Sequence, residues 1–149
     1  MLRSLTLALV AFFVAVAQPS AAAPDLEKLA FVTRSGVHEF SVEVMRTPAE
    51  HGKGLMYRRY MPDDRGMLFD FGKNDVIHMW MKNTYIPLDM IFVGKDGKVF
   101  SIARDTEPFS ERTVSSGGPV VGVVELNAGA AAKIGLAVGD EVRHAMFKR

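Results

Sequence analysis

Downstream of Leu29 the chain never runs far before meeting turn chemistry, and that punctuation limits what it can fold into. Ser35-Gly36, the run Gly72-Lys73-Asn74-Asp75, the corner Lys82-Asn83-Thr84-Tyr85 with Pro87, and Gly94-Lys95-Asp96-Gly97 each interrupt an apolar run. Glycine supplies positive φ, proline a fixed φ, and Asn, Asp and Ser local hydrogen bonds, so these clusters read as turns. The intervals between them have strand length and are too short for long helices. The spacing predicts strands over 29–34, 37–45, 67–71, 76–81, 88–93, 98–103, 120–126 and 142–148. In the second of these, His38, Phe40, Val42 and Val44 share one face and Glu39, Ser41 and Glu43 the other, the period of a half-buried strand. Two brief helices interrupt the pattern. Thr47, Pro48 and Glu50 form a capping-box start, with Gly52 and Gly54 keeping that helix short. The second, over 128–135, ends at Gly135. The polar segment 104–119, with Pro108 and Ser115-Ser116-Gly117-Gly118, reads as a long surface loop. About seven or eight short strands with two short helices make a mainly β protein, closed or sandwiched.

The N-terminal stretch has a different character. Arg3 is followed by an apolar run from Leu5 to Ala17, then Pro19 and small residues, the layout of a secretory signal peptide. The expected organisation is a signal over 1–22, cleaved after Ala22 or after Ala23, and a single β-rich domain over 23–149 with its core at about 29–148. The run is shorter than the roughly 20 residues of a spanning helix, so retention as an anchor is the weaker reading and no permanent span is expected after cleavage. The chain has no cysteine, which excludes disulfides, thiolate chemistry and a lipid-attachment cysteine. A periplasmic or secreted location follows as the expectation. The chain carries 18 Lys+Arg and 17 Asp+Glu, and Arg3 lies in the signal, which leaves a balanced domain. A nucleic-acid partner is not expected, because phosphate binding needs a basic excess or stripe.

Several short motifs accumulate into a family likeness. Gly54-Leu55-Met56 with Arg58, Gly66-Met67-Leu68-Phe69, Trp80-Met81-Lys82-Asn83-Thr84 and Pro87-Leu88-Asp89 are joined by Glu125-Leu126, Gly129 and Gly139-Asp140. Together they resemble the prokaryotic domain-of-unknown-function family numbered 192, over almost the whole chain after the signal. Met79 departs from it, standing where phenylalanine is frequent. The resemblance implies a compact, mainly antiparallel, jelly-roll-like sandwich or barrel, and no established activity.

The stretch from His78 to Met90 concentrates the candidate chemistry. On a strand, Met79 and Met81 point one way and His78 and Trp80 the other. Two alternate thioethers suit cuprous copper, whereas the ordinary use of such methionines is to fill core gaps. No second histidine stands at zinc-ligand spacing, and no Gly-x-Ser-x-Gly elbow or phosphate-binding glycine loop is present. Asp89 alternates with Leu88 and Met90 on a strand apolar on both sides, so its carboxylate needs a partner. The expected partners are amides of the 82–85 corner or Arg58. The candidate ligand-binding set is Arg58, His78, Trp80, Lys82, Asn83 and Asp89, an aromatic and polar groove suited to a sugar or other small polar molecule. No cofactor is expected and no catalytic residue is assigned. The leading function is a non-enzymatic small-ligand-binding or envelope accessory module. The alternatives are a Met/His copper-handling protein, with Met79 and Met81 as metal ligands, and an enzyme using Asp89 with Arg58 or His78.

Overall fold

The computed structural model describes residues 25–148; the expected signal segment lies outside them. Seven strands form one sheet: β1 (Leu26–Thr33), β2 (Gly36–Met45), β3 (Arg65–Met79), β4 (Leu88–Val93), β5 (Val99–Thr106), β6 (Val114–Asn127) and β7 (Glu141–Arg143). Two short helices, α1 (Pro48–Lys53) and α2 (Ala130–Lys133), lie between strands, and a 3-10 turn spans Ala145–Lys148. The strand order is β5-β4-β6-β3-β2-β1-β7. Every pairing is antiparallel except β2 with β3, which α1 and the segment after it connect as a parallel pair. The sheet curls into a half-barrel until its two edges touch. Lys98 bridges to Glu141, Val99 N donates to Asp140 O at 2.9 Å, and Val142 N donates to Gly97 O at 2.8 Å. Bringing the edges together protects strand ends that would otherwise pair with other chains.

The mainly β architecture with two short helices is as expected, and three boundaries differ for identifiable reasons. The strands expected over 67–71 and 76–81 are one long strand, β3. Gly72, at φ 66°, sits in a register shift between Asp70 and Asp75, so the turn residues are absorbed as a bulge. Much of the expected loop 104–119 is strand. Ser116 replaces a ladder bond there: its hydroxyl accepts from Ile77 N at 3.0 Å and donates to Gly118 O at 2.6 Å. The last strand stops at Arg143 because the His144 ring accepts from Met146 N at 3.2 Å and turns the chain.

Side chains on β3, β4 and β6 alternate between two apolar layers. Leu68, Ile91, Val93 and Val124 join Phe31 and Val42 in one. Met67, Phe69, Met90, Phe92 and Val123 form the other. The second layer is roofed by two chain segments, with Leu55 and Met61 from the stretch after α1 and Met81 and Ile86 from the stretch before β4. Each such side chain, fully buried, contributes about 1.5–3 kcal/mol relative to exposure. Gly66 lets the central strands approach. A Cβ there would lie 2.7 Å from Leu126 Cδ2 and 2.8 Å from the Glu125 carbonyl oxygen.

Candidate functional site

One acid interrupts the roofed layer. Glu125 of β6 lies opposite Met67 of β3 and Met90 of β4, and alternation puts it on the same face as Val123. The residue is 4% exposed, and among the described residues no donor reaches its carboxyl. Burial alone pushes this acid up to about 8, so it is largely protonated at neutral pH. Above it opens a cleft of about 20 Å³, room for roughly one water or one ion. His51, Met56, Met79, Trp80 and Thr84 line it with Glu125.

Local chemistry explains how each wall arises. The capping box forms as the sequence indicates: Thr47 Oγ1 accepts from Glu50 N, and the Glu50 carboxylate accepts from Thr47 N at 2.8 Å and Arg46 N at 2.9 Å. These amides hold Glu50 below the usual carboxylate range. The helix they start carries His51, whose Nε2 donates to the Met45 carbonyl at 3.0 Å. A carbonyl only accepts, so Nε2 bears the proton and Nδ1 of the neutral ring keeps its lone pair. Gly54 then turns the chain at φ 44°, close over Phe69, where a Cβ would lie 3.2 Å from the ring. That turn sends Leu55 into the core and leaves Met56 half-buried at the cleft.

Three loops are laced together around the opening by backbone hydrogen bonds. Tyr57 N donates to Asn83 O at 2.9 Å, Met81 N to Ser110 O at 2.9 Å, and Phe109 N to Thr84 O at 3.2 Å. Tyr57, Asn83 and Phe109 are held at positive φ (66°, 54° and 62°), which costs roughly 1 kcal/mol or more at each non-glycine residue. The rim they make is aromatic and exposed. Tyr85 meets Phe109 edge-on at 4.7 Å, Arg59 lies 4.5 Å over Tyr85, and Lys82 lies 5.3 Å over Trp80.

Of the residues proposed from sequence, Trp80, Lys82 and Asn83 come together at this rim. Asn83 Nδ2 donates to Tyr57 Oη at 2.9 Å and lies 3.9 Å from Met56 Sδ. Arg58 is engaged elsewhere, in a two-pronged pair with Glu43 at 2.5 and 2.7 Å that raises its pKa. His78 is exposed on β3 and does not line the cleft. Asp89 has different partners from those expected. Its two oxygens accept from Asp105 N at 2.9 Å and Ala131 N at 3.0 Å, and neither the 82–85 corner nor Arg58 holds it. Alternation turns Asp89 away from Leu88 and Met90, toward a bulge in β5 and the first turn of α2. The expected pairing of Met79 with Met81 also fails. Strand β3 ends at Met79, so the alternation stops there. Met81 is buried, with Thr106 Oγ1 donating to its sulfur at 3.2 Å.

Sequence reasoning did not place His51, Met56 or Thr84 in a site, and Glu125 entered only through the Glu125-Leu126 motif of the family likeness. Wider depressions, of about 310, 650, 400 and 110 Å³, lie elsewhere. The buried acid lining the first, Asp70, already accepts from Gly72 N at 3.0 Å. Among the described residues there is no group of three or more His, Cys, Asp or Glu able to hold a metal, and no helix long and apolar enough to cross a membrane.

Fold and cleft together define a small curled β half-barrel with a loop-roofed acid at its centre. The chain belongs to the DUF192 family, described as uncharacterized ACR, whose model matches residues 30–144. It is similar to a candidate transcription regulator from Sinorhizobium meliloti 1021, at 42% identity and a TM-score of 0.81, covering 85% of this chain and 99% of that one. It is also similar to a protein of unknown function from Novosphingobium aromaticivorans DSM 12444, at 39% identity and a TM-score of 0.80, covering 87% and 94%. No curated protein matches significantly. Gly54, Met56, Phe69, Trp80, Thr84 and Glu125 all belong to the motifs that carry the family likeness, and all line the cleft.

Proposed function

We propose that the protein is an exported, non-enzymatic binding module that seats a small polar ligand in the cleft between Trp80 and Glu125. The observation that carries this reading is the Glu125 carboxyl, buried without a donor yet opening onto a cleft with an aromatic rim. A buried polar group normally has a hydrogen-bond partner, and one that lacks it inside a cavity is a place for a ligand atom to supply the missing bond. Largely protonated at neutral pH, the group both donates and accepts, which suits a hydroxyl, amide or water-sized polar atom. The exposed indole of Trp80 offers a stacking face beside it.

A binding function accounts for this arrangement more directly than catalysis does. Asp89, the acid of the enzyme alternative, has both oxygens occupied by backbone amides. Thermal-shift screening of sugars, polyols, amines and amides tests the reading. Hits should raise the melting temperature of the wild type and lose that effect in Trp80→Ala and Glu125→Leu. A full screen without a Trp80-dependent hit counts against it. Export is tested separately by N-terminal sequencing of protein from the periplasmic fraction: a start at Ala23 or Pro24 supports it, and an intact Met1 in the membrane fraction contradicts it.

A further inference from the structure

We infer that the ligand taken by this cleft is a soft monovalent metal ion, copper(I), held by the thioethers of Met56 and Met79 with the His51 imidazole and covered by the Trp80 indole. The inference rests on the reading of the cleft as a binding site and names its occupant.

Size is the first argument. About 20 Å³ admits a single ion, or one polar atom of a molecule whose body stays outside against the Trp80 rim. Donor type is the second. The lining residues include two methionines, a histidine, a tryptophan and Glu125, together with Lys53 and Thr84. Thioether and imidazole select a soft ion, whereas zinc, magnesium and calcium want thiolate, several imidazoles or several oxygens. No group of three His, Cys, Asp or Glu exists among the described residues to serve those ions. The indole adds attraction for a cation over its face.

The methionines themselves supply the third argument. Met61, Met67, Met81, Met90 and Met146 are buried in the two apolar layers, where a flexible thioether fills gaps. Met56 and Met79 are only half-buried and reach the cleft. Met79 packs against the second layer as well as lining the cleft, and Met56 belongs to neither layer. His51 is presented in a form that can ligate, because its Nε2–H is committed to the Met45 carbonyl and Nδ1 retains a lone pair. Glu125, whose carboxyl has no partner among the described residues, lines the same cleft and adds an oxygen donor.

The test is anaerobic titration of the purified protein with copper(I) against a chromogenic copper(I) chelator, with silver(I) as a redox-inert substitute. The chain's single tryptophan, Trp80, gives a direct fluorescence reading. Expected are one equivalent bound with micromolar affinity or better, a change in Trp80 emission, and at least tenfold weakening in each of Met56→Leu and Met79→Leu. These changes nearly conserve volume, and circular dichroism verifies that both variants remain folded. Binding that both variants retain at full strength would place the ion elsewhere and overturn the proposal. Absence of copper(I) and silver(I) binding, while small polar molecules still give Trp80-dependent melting shifts, overturns the ion and leaves the binding module standing. Absence of both responses overturns the two readings together.

Discussion

Asp89 and Glu125 are buried acids on adjacent strands, one register step apart, facing opposite sides of the same sheet. Asp89 pairs across the ladder with Leu126, and Glu125 with Met90. Their surroundings differ completely. Asp89 faces the β5 bulge, where the left-handed Asp105 (φ 47°) presents an amide that the ladder does not use, and the first turn of α2, where Gly129 offers no side-chain cap. One oxygen takes each amide, so this carboxylate serves as a bulge clamp and a helix cap at once. Glu125 lies with Met, His and Trp residues at the cleft and, among the described residues, no donor reaches it. The same burial makes one acid a fastener and the other a group kept in reserve, because a buried polar atom is stabilising only where a partner completes it.

The largest expected effect comes from removing the ionisable group without removing its shape. Below about pH 4.5 Glu125 is protonated in both folded and unfolded chains. Between there and about 8 only the unfolded chain releases the proton, so stability falls as pH rises, and above 8 the loss is complete. From these values the penalty at pH 8 is on the order of 4 kcal/mol. Glu125→Gln should therefore be more stable than wild type at pH 8, with the gap closing toward pH 5. Urea melts across that range measure it, and a constant gap would show that Glu125 does not titrate in the way its burial requires.

Asp89→Ala should act in the opposite sense and be smaller. One buried amide, Ala131 N, and one part-buried amide, Asp105 N, lose their acceptor, which costs about 1–3 kcal/mol. The urea midpoint should drop at an unchanged slope, and hydrogen exchange at Asp105 and Ala131 should accelerate selectively. An unchanged midpoint would mean that Asp89 is not the fastener its contacts describe.

How much of this contrast the sequence disclosed depends on how local each cause is. The capping box of α1, the turn at Gly94–Gly97 and the two-faced burial of β4 follow from neighbours a few residues apart, and they match the structure. Asp89 was recognisable as a buried acid needing partners, because Leu88 and Met90 flank it. The partners themselves were not legible, since they come from 16 and 42 residues away. The cleft is more distant still. His51, Met56, Met79 and Glu125 come from α1, the turn after it, the end of β3 and the neighbouring strand β6, and only the curled sheet brings them together. Met79 and Met81 misled for a related reason: alternation holds only as far as the strand does, and β3 stops between them.

Glu43 offers a third arrangement, in which the partner is a charge. Its carboxylate is paired with Arg58, and the two side chains are 14% and 38% exposed. Arg58→Ala would leave a partly buried acid alone, as Glu125 is, but with some access to water. Solvent screening on the arginine side limits the cost to about 1 kcal/mol. Raising the salt concentration should shrink the difference from wild type, which thermal melts at low and high ionic strength would show. No salt dependence would place the loss in the packing of the Arg58 stem instead of its charge.

Trp80→Ala sharpens the comparison by its small size. The indole is 47% exposed, and its polar contact is the exposed Lys82 cation over its face at 5.3 Å. An exposed cation–π contact contributes about 0.5–1 kcal/mol at most, and surface substitutions usually fall within about 0.5 kcal/mol. The loop that carries Trp80 is held by backbone bonds from Met81, Thr84 and Phe109, none of which uses the ring. Removing the ring should therefore leave the urea midpoint almost unchanged while abolishing the response to copper(I) and to small polar molecules. If Trp80 were only a structural cover for Glu125, its loss would instead hydrate that acid, lower its pKa toward the usual range and flatten the pH dependence of stability. Urea melts of Trp80→Ala at pH 5 and pH 8 separate the two roles. A pH slope equal to wild type, together with lost binding, assigns the ring to the ligand; a flattened slope assigns it to the roof.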